Sequence, residues 1–214
     1  MLYLINTGVA NIRSLQATFD RLGRPWQLTT NANQIAEGDL VVLPGVGAFA
    51  AAIDSIDRMN LRESILERIA ADRPLLCICL GMQMLAESSE ESPGVQGLGV
   101  IPRQIKRFSN NVQVPQLGWN EVRPVRNDEA RSRKESQVAS RASSYPFEPG
   151  DAYFANSYRL EEPPEGWGYA VTEYDRPFVS SLWHGRLLAC QFHPELSGLW
   201  GETLIKRWLL NTIN

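Results

Sequence analysis

The chain has 214 residues, 43% of them hydrophobic and 21% charged, with a net charge of −3. That is enough apolar material for one core, so residues 1–214 are expected to form a single domain. The charge balance offers no basic face for nucleic acid. No apolar run approaches the roughly 20 residues that span a bilayer. The opening MLYLINTGVAN has no basic region ahead of its apolar stretch, so no membrane span and no secretory signal are expected. Three cysteines make a poor disulfide framework, which fits a reducing cytoplasm. The histidines are His184 and His193, and a zinc site would consume nearly every Cys and His, so no metal or cofactor is expected.

The first half alternates strand-like and helical patterns. LYLI is a short apolar strand followed by Gly8. Ile12, Leu15, Phe19 and Leu22 then recur at helical spacing, with Asn11 placed to cap the helix and Gly23 to stop it. DLVVLPG reads as a buried strand ending at Pro44-Gly45, and helices are expected near 47–58 and 61–71. PLLCIC is another buried strand, and a helix is expected to begin near 81–87. Strands alternating with helices predict an α/β fold whose central sheet is mostly parallel and flanked by helices. Sites in such sheets form at the carboxyl ends of the strands. The glycine turns after Ile5, Leu43 and Cys79 fall at such ends.

The second half has a different texture. DAYFANSYRL, WGYAVTEY, FVSSLW and LLACQFHP follow one another with turns between them, which predicts antiparallel strands added to the parallel core. GETLIKRWLLNTI closes the chain as an amphipathic helix. The polar segment 126–150 lacks apolar periodicity and is expected to be a long mobile loop.

Two stretches suggest chemistry. In PLLCICLGMQ, Cys79 stands where a strand ends, two residues before Gly81 and ahead of a helix. A sharp turn there would lift the thiol off the sheet, and a helix N-terminus would favour its thiolate. Cys77 lacks that context. From this stretch alone, two buried core thiols are the favoured reading. In a strand, side chains two apart are roughly parallel and about 6.6 Å apart, so a Cys77–Cys79 disulfide would be strained. In CQFHPELS, His193 and Glu195 flank Pro194, and an extended backbone would point both to one side. A carboxylate so placed can orient an imidazole and stabilise the imidazolium.

Together, CLGMQ, LPGVGAF and QFHPE resemble a class I glutamine amidotransferase. NTGVANIRSL, ESSEESPGVQGLGVI, VPQLGWNEV, YFANSYR and TEYD narrow the resemblance to the glutaminase subunits of imidazole glycerol phosphate synthase, over nearly the whole chain except 126–150. The resemblance implies an α/β amidotransferase fold and a Cys79–His193–Glu195 triad. It implies an oxyanion hole from the Leu80 and Val46 N–H groups. The glycines of Pro44-Gly45-Val46-Gly47 would let the Val46 peptide turn inward when a partner is engaged. Gly45, Gly47, Gln83, Asn156, Ser157 and Tyr158 match glutamine-binding positions. The implied partner is a (β/α)8-barrel synthase in a heterodimer, which takes the ammonia. It makes imidazole glycerol phosphate and an aminoimidazole carboxamide ribonucleotide in histidine biosynthesis. Asn11, Trp119 and Asn120 match positions near that partner, although Trp119 could also be core. A different acceptor, such as a sugar amidotransferase, is the alternative.

Several positions depart from the family pattern. Cys77 stands where glycine is usual, so a Cβ and a sulfur must fit where hydrogen normally stands. Gln116 and Leu117 stand where His-Met is common, and Asn156 where His is common. Leu196 replaces a common lysine that faces the synthase, which removes a charge available for steering.

Overall fold

The computed structural model describes residues 1–8, 12–125 and 147–211. The expected opening strand is β1 (Leu2–Ile5), followed by α1 (Ile12–Arg21). Asn11, read as the cap of α1, lies outside the described residues. Next come β2 (Trp26–Thr29) and α2 (Ala32–Glu37). The Asn31 side chain caps α2 by accepting from the N–H groups of Asn33 and Gln34 at 2.9 and 3.2 Å. Then follow β3 (Leu40–Gly45), α3 (Phe49–Arg58), α4 (Arg62–Ala70), β4 (Leu75–Cys79) and α5 (Leu80–Met84). The second half holds β5 (Ala86–Ser89), β6 (Ile101–Arg107), β7 (Gln116–Pro124), β8 (Gly150–Asn156) and β9 (Tyr158–Arg159). It closes with β10 (Gly168–Tyr174), β11 (Arg176–His184), β12 (Leu187–Cys190), a 3-10 turn at Pro194–Leu196 and α6 (Gly198–Asn211).

Among the described residues the main sheet has nine strands, in the order β2-β1-β3-β4-β12-β11-β10-β7-β8. From β2 to β12 the neighbours are parallel. From β12 to β8 they are antiparallel. β5, β6 and β9 form a smaller sheet. The parallel strands alternate side chains between two apolar layers. Leu4, Val42, Leu76 and Leu188 pack with α1 and α6 through Leu15, Phe19, Ile205 and Trp208. Ile5, Leu43, Cys77 and Ala189 pack with α3 and α4 through Phe49, Ile53, Ile56 and Ile65. A strand buried on both faces needs this near-continuous apolar run.

The polar segment is shorter than the sequence suggests at its far end. Gly150 already pairs with Val122, and Phe147 is buried against Trp183 and Trp200. Residues 126–146 lie outside the described residues. The helix expected near 81–87 ends at Met84, and the chain passes at once into β5.

Arg68 of α4 is fully buried and has only carbonyls around its guanidinium. Nε and Nη2 donate to the Pro74 carbonyl at 2.9 and 2.6 Å. Nη1 donates to Ile35 and Gly38 at 2.9 and 2.8 Å, and Nη2 to Asp39 at 3.3 Å. Burial, helped by Arg73 and Arg186, lowers its pKa to about 10, so it stays charged at neutral pH. It thereby ties α4 to the leading ends of β3 and β4, the strands that carry the site. Arg68→Met should strand several buried carbonyls and destabilise the chain by about 3 kcal/mol or more, read as a lower denaturation midpoint in urea.

Candidate active site

Parallel register gathers the site. β3, β4 and β12 are neighbours and end together, with Gly45 opposite Cys79 and Cys190 opposite Ile78. Their carboxyl ends therefore deliver the Gly45-Val46-Gly47 turn, Cys79 and the Gln191–Glu195 segment to one place.

Cys79 ends β4 with φ 54° and ψ −110°, a conformation that non-glycine residues rarely adopt. This breaks the strand's alternation. Cys77 packs with Leu43 and Ala189 in one layer, while Cys79 joins Ile78 and Cys190 in the other. The roughly parallel placement expected of the two thiols is thus corrected by the backbone turn between them. All cysteines of the chain are free. Cys77 is fully buried, and burial pushes its thiol far up, so it is an inert core group. The glycines of the elbow answer to close contacts. A Cβ on Gly81 would lie 2.0 Å from the Leu43 carbonyl oxygen, and one on Gly45 would lie 2.9 Å from the Leu80 Cβ. Gly47 has a φ of +99°.

His193 and Glu195 meet, though not in an extended segment. Pro194 opens the 3-10 turn, where its fixed φ suits a first helical position. Leu196 N–H donates to the His193 carbonyl at 3.0 Å, and the Ser197 hydroxyl donates to it at 2.6 Å. His193 N–H donates to Tyr153 at 2.9 Å, anchoring the segment to β8. The turn sets His193 Nδ1 2.8 Å from Glu195 Oε1, with both side chains buried. Burial alone would lower the His193 pKa. Hydrogen bonds to Cys79 and Glu195 outweigh it and raise the value from 6.5 to about 10.

The groups surround a cavity of about 230 Å³. Val46, Gly47, Cys79, Leu80, Gln83, Asn156, Ser157, Tyr158 and His193 line it. Gly45 and Glu195 are not among the lining residues; Gly45 packs against Leu80, and Glu195 meets His193. Glu91 and Ala155 also line the cavity and were not singled out from the sequence. Glu91 is half-buried and accepts from the Phe49 N–H at 2.7 Å, while Ser92 Oγ accepts from Ala50 at 3.2 Å. Together they cap α3, whose own cap residue Ala48 has no side-chain hydrogen bond. Asn156 is buried and donates through Nδ2 to the Tyr158 carbonyl at 3.0 Å, and its Oδ1 has no partner among the described residues. Trp119 is 55% exposed against Tyr153, so it is a surface residue, and Asn120 is half-buried. Leu117 and Leu196 are also exposed. Among the described residues, no cluster of His, Cys, Asp or Glu is arranged to hold a metal.

A family model described as glutamine amidotransferase class-I matches residues 3–211. The chain belongs to that family. The amidotransferase is 36% identical over 208 residues to the imidazole glycerol phosphate synthase subunit HisH of Oceanobacillus iheyensis, covering 97% of this chain and 98% of the relative. It is also 36% identical to the chloroplastic imidazole glycerol phosphate synthase hisHF of Arabidopsis thaliana, covering 96% of this chain but 33% of that longer one. A crystal structure of a glutamine amidotransferase superposes with a TM-score of 0.73 at 16% identity, covering 98% of each chain. PurLQS from Thermotoga maritima gives 0.67 at 14% identity, covering 98% of this chain and 97% of that one. At those identities the likeness is one of fold.

The raised His193 pKa has a consequence for stability. A proton held more tightly in the folded amidotransferase stabilises it fully below about pH 6.5, and that stabilisation is lost as pH rises to about 10. The melting temperature of the wild type should therefore fall across that window more steeply than that of His193→Gln. Thermal unfolding of the two proteins side by side measures the difference.

Proposed function

We propose that this amidotransferase is the glutaminase subunit of an imidazole glycerol phosphate synthase. It hydrolyses glutamine at Cys79 and passes ammonia to a (β/α)8-barrel synthase in a cytoplasmic heterodimer. One observation carries the reading: Cys79, in a strained elbow, shares a cavity with a histidine held 2.8 Å from a buried carboxylate. The names of the relatives support the choice of acceptor. Among the described residues, no helix is long and apolar enough to cross a membrane.

The chemistry follows from the groups present. The Cys79 sulfur, its proton passed to His193, attacks the side-chain carboxamide carbon of glutamine. The oxyanion is met by the N–H of Leu80, which opens α5, and by that of Val46 once its peptide faces the cavity. The imidazolium of His193 gives its proton to the departing nitrogen, and ammonia leaves a γ-glutamyl thioester. Water, deprotonated by His193, attacks the thioester. Glutamate departs, and the sulfur is restored. Glu195 keeps the imidazole oriented through both halves.

The free end of glutamine carries an ammonium and a carboxylate. Glu91 is the one carboxylate among the residues lining the cavity, and it is placed to take the ammonium. The unpartnered Asn156 Oδ1 offers a second acceptor. Gln83, Ser157 and Tyr158 shape the rest of the pocket with Gly47, and Gly45 lets Leu80 approach the turn that borders it. Trp119 and Asn120, with Asn11 from outside the described residues, would face the synthase. Leu117 and Leu196 are exposed on that rim, and Leu196 makes it apolar where the family pattern carries a lysine.

Glutamate release should rise when a barrel synthase and its nucleotide substrate are added. Cys79→Ala should lose glutamine-dependent synthesis and keep synthesis from free ammonia. No rise with any such synthase would overturn the choice of acceptor. Glu91→Gln should raise the KM for glutamine about tenfold, equivalent to roughly 1.4 kcal/mol of lost ion pairing, with kcat little changed.

A further inference from the structure

The sulfur of Cys79 has a second polar neighbour besides His193. Gln191, fully buried just beyond β12, directs Nε2 at Cys79 Sγ from 3.7 Å. Its Oε1 accepts from Gln83 Nε2 at 2.9 Å. The same Gln83 amide nitrogen donates to the Tyr158 carbonyl at 3.2 Å. Four groups from three parts of the chain therefore form one line: Tyr158, Gln83, Gln191 and Cys79.

The polarity of that line is fixed at one end. A backbone carbonyl can only accept, so Gln83 must turn its nitrogen toward Tyr158. That same nitrogen then meets Gln191, which must present oxygen to it. The Gln191 nitrogen is left facing the sulfur. Reversing Gln191 alone would set nitrogen against nitrogen. Reversing both amides would set the Gln83 oxygen against the Tyr158 carbonyl. Asn156 Nδ2 occupies that carbonyl too, at 3.0 Å, so its acceptor capacity is filled.

We propose that Gln191 is a second donor to the Cys79 thiolate, aimed by the Tyr158 carbonyl through Gln83. The inference rests on the reading of Cys79 as the nucleophile. It divides the work at the sulfur. His193 moves the proton and must give it up to ammonia. Gln191 does not titrate, so its N–H still faces the sulfur when the thioester breaks and negative charge returns there. A hydrogen bond from an amide to an anion is stronger than one between neutral groups.

The test is alkylation of the full chain by iodoacetamide over a range of pH, with the modified residue identified by peptide mass spectrometry. Gln191→Met keeps the length of the side chain and removes the donor. Gln191→Glu keeps the shape and replaces the donor by an acceptor. The titratable groups near the sulfur are His193 with Glu195 beyond β12 and Glu91 in the cavity lining, and they are unchanged in Gln191→Met, whereas Gln191→Glu adds a carboxylate of its own, so the methionine variant isolates the loss of the donor. Both should label Cys79 about tenfold more slowly at neutral pH, with the rate profile displaced to higher pH. A profile that superimposes on wild type in either variant, with the native circular dichroism spectrum intact, would overturn the proposal. If Gln191→Met does not fold, Gln191→Leu, which also removes the donor without adding charge, decides in its place. Cys79→Ala separates the two readings. Labelling that persists in it, at Cys77 or Cys190, counts against Cys79 as the reactive thiol. Labelling lost in Cys79→Ala but unshifted in the Gln191 variants counts against Gln191 alone.

Discussion

The left-handed backbone of Cys79 is the constraint on which the site depends. Holding a non-glycine residue at φ 54° and ψ −110° costs about 1–3 kcal/mol, so the surroundings must over-determine it. They do so through packing. β4 is hydrogen-bonded on both sides, to β3 and β12, up to the elbow. Gly81 lets α5 press against the Leu43 backbone, closer than any Cβ would allow. Arg68 holds the other ends of β3 and β4. The turn moves Cys79 out of the layer that holds Cys77, so one thiol reaches the cavity and the other is sealed in the core.

The polar half of the site is organised by Tyr158. Its carbonyl accepts from Gln83 and Asn156 and so sets the direction of both amides. Its position depends in turn on Arg159, which is almost completely buried. That guanidinium lies 4.8 Å from the centre of the Phe108 ring and pairs with Glu161 at 2.9 Å and Asp175 at 3.2 Å. Lys106 and Arg107 of β6 pair with Arg159 and Tyr158 in β9. The smaller sheet thus supplies the fixed acceptor, and the larger sheet supplies Cys79.

Legibility in the sequence followed burial. β1, β3 and β4 were plain because strands covered on both faces must be continuously apolar. β2 was not, because an edge strand with Gln27 and Leu28 exposed carries little pattern. The end of the short α5 is not legible, since Met84, Leu85 and Ala86 are all buried and nothing in that apolar run marks where the helix stops. Cys79, His193 and Glu195 stood out through their spacing to Gly81 and Pro194. The geometry joining the last two is not legible in the sequence, because a proline fits the first residue of a 3-10 turn as well as an extended strand. Glu91 gave no local signal, as it caps a helix 42 residues away. One hint was available: Ala48 cannot cap α3, so the cap had to come from elsewhere. Gln191 lay inside a recognised motif, but its role depends on a chain of amides from distant segments. No spacing rule reveals that chain.

The turn between β3 and α3 is pinned at both ends. Gly45 is locked in the ladder opposite Cys79, and Phe49 and Ala50 are held by Glu91 and Ser92. Only Val46, Gly47 and Ala48 lie between the anchors. A span that short has no slack to swing as a loop. The freedom left to it is crankshaft rotation, in which one peptide plane turns about its flanking Cα atoms while the chain on either side stays still. Any change in the direction of the Val46 N–H would then pass without displacing α3 or opening the cavity to solvent.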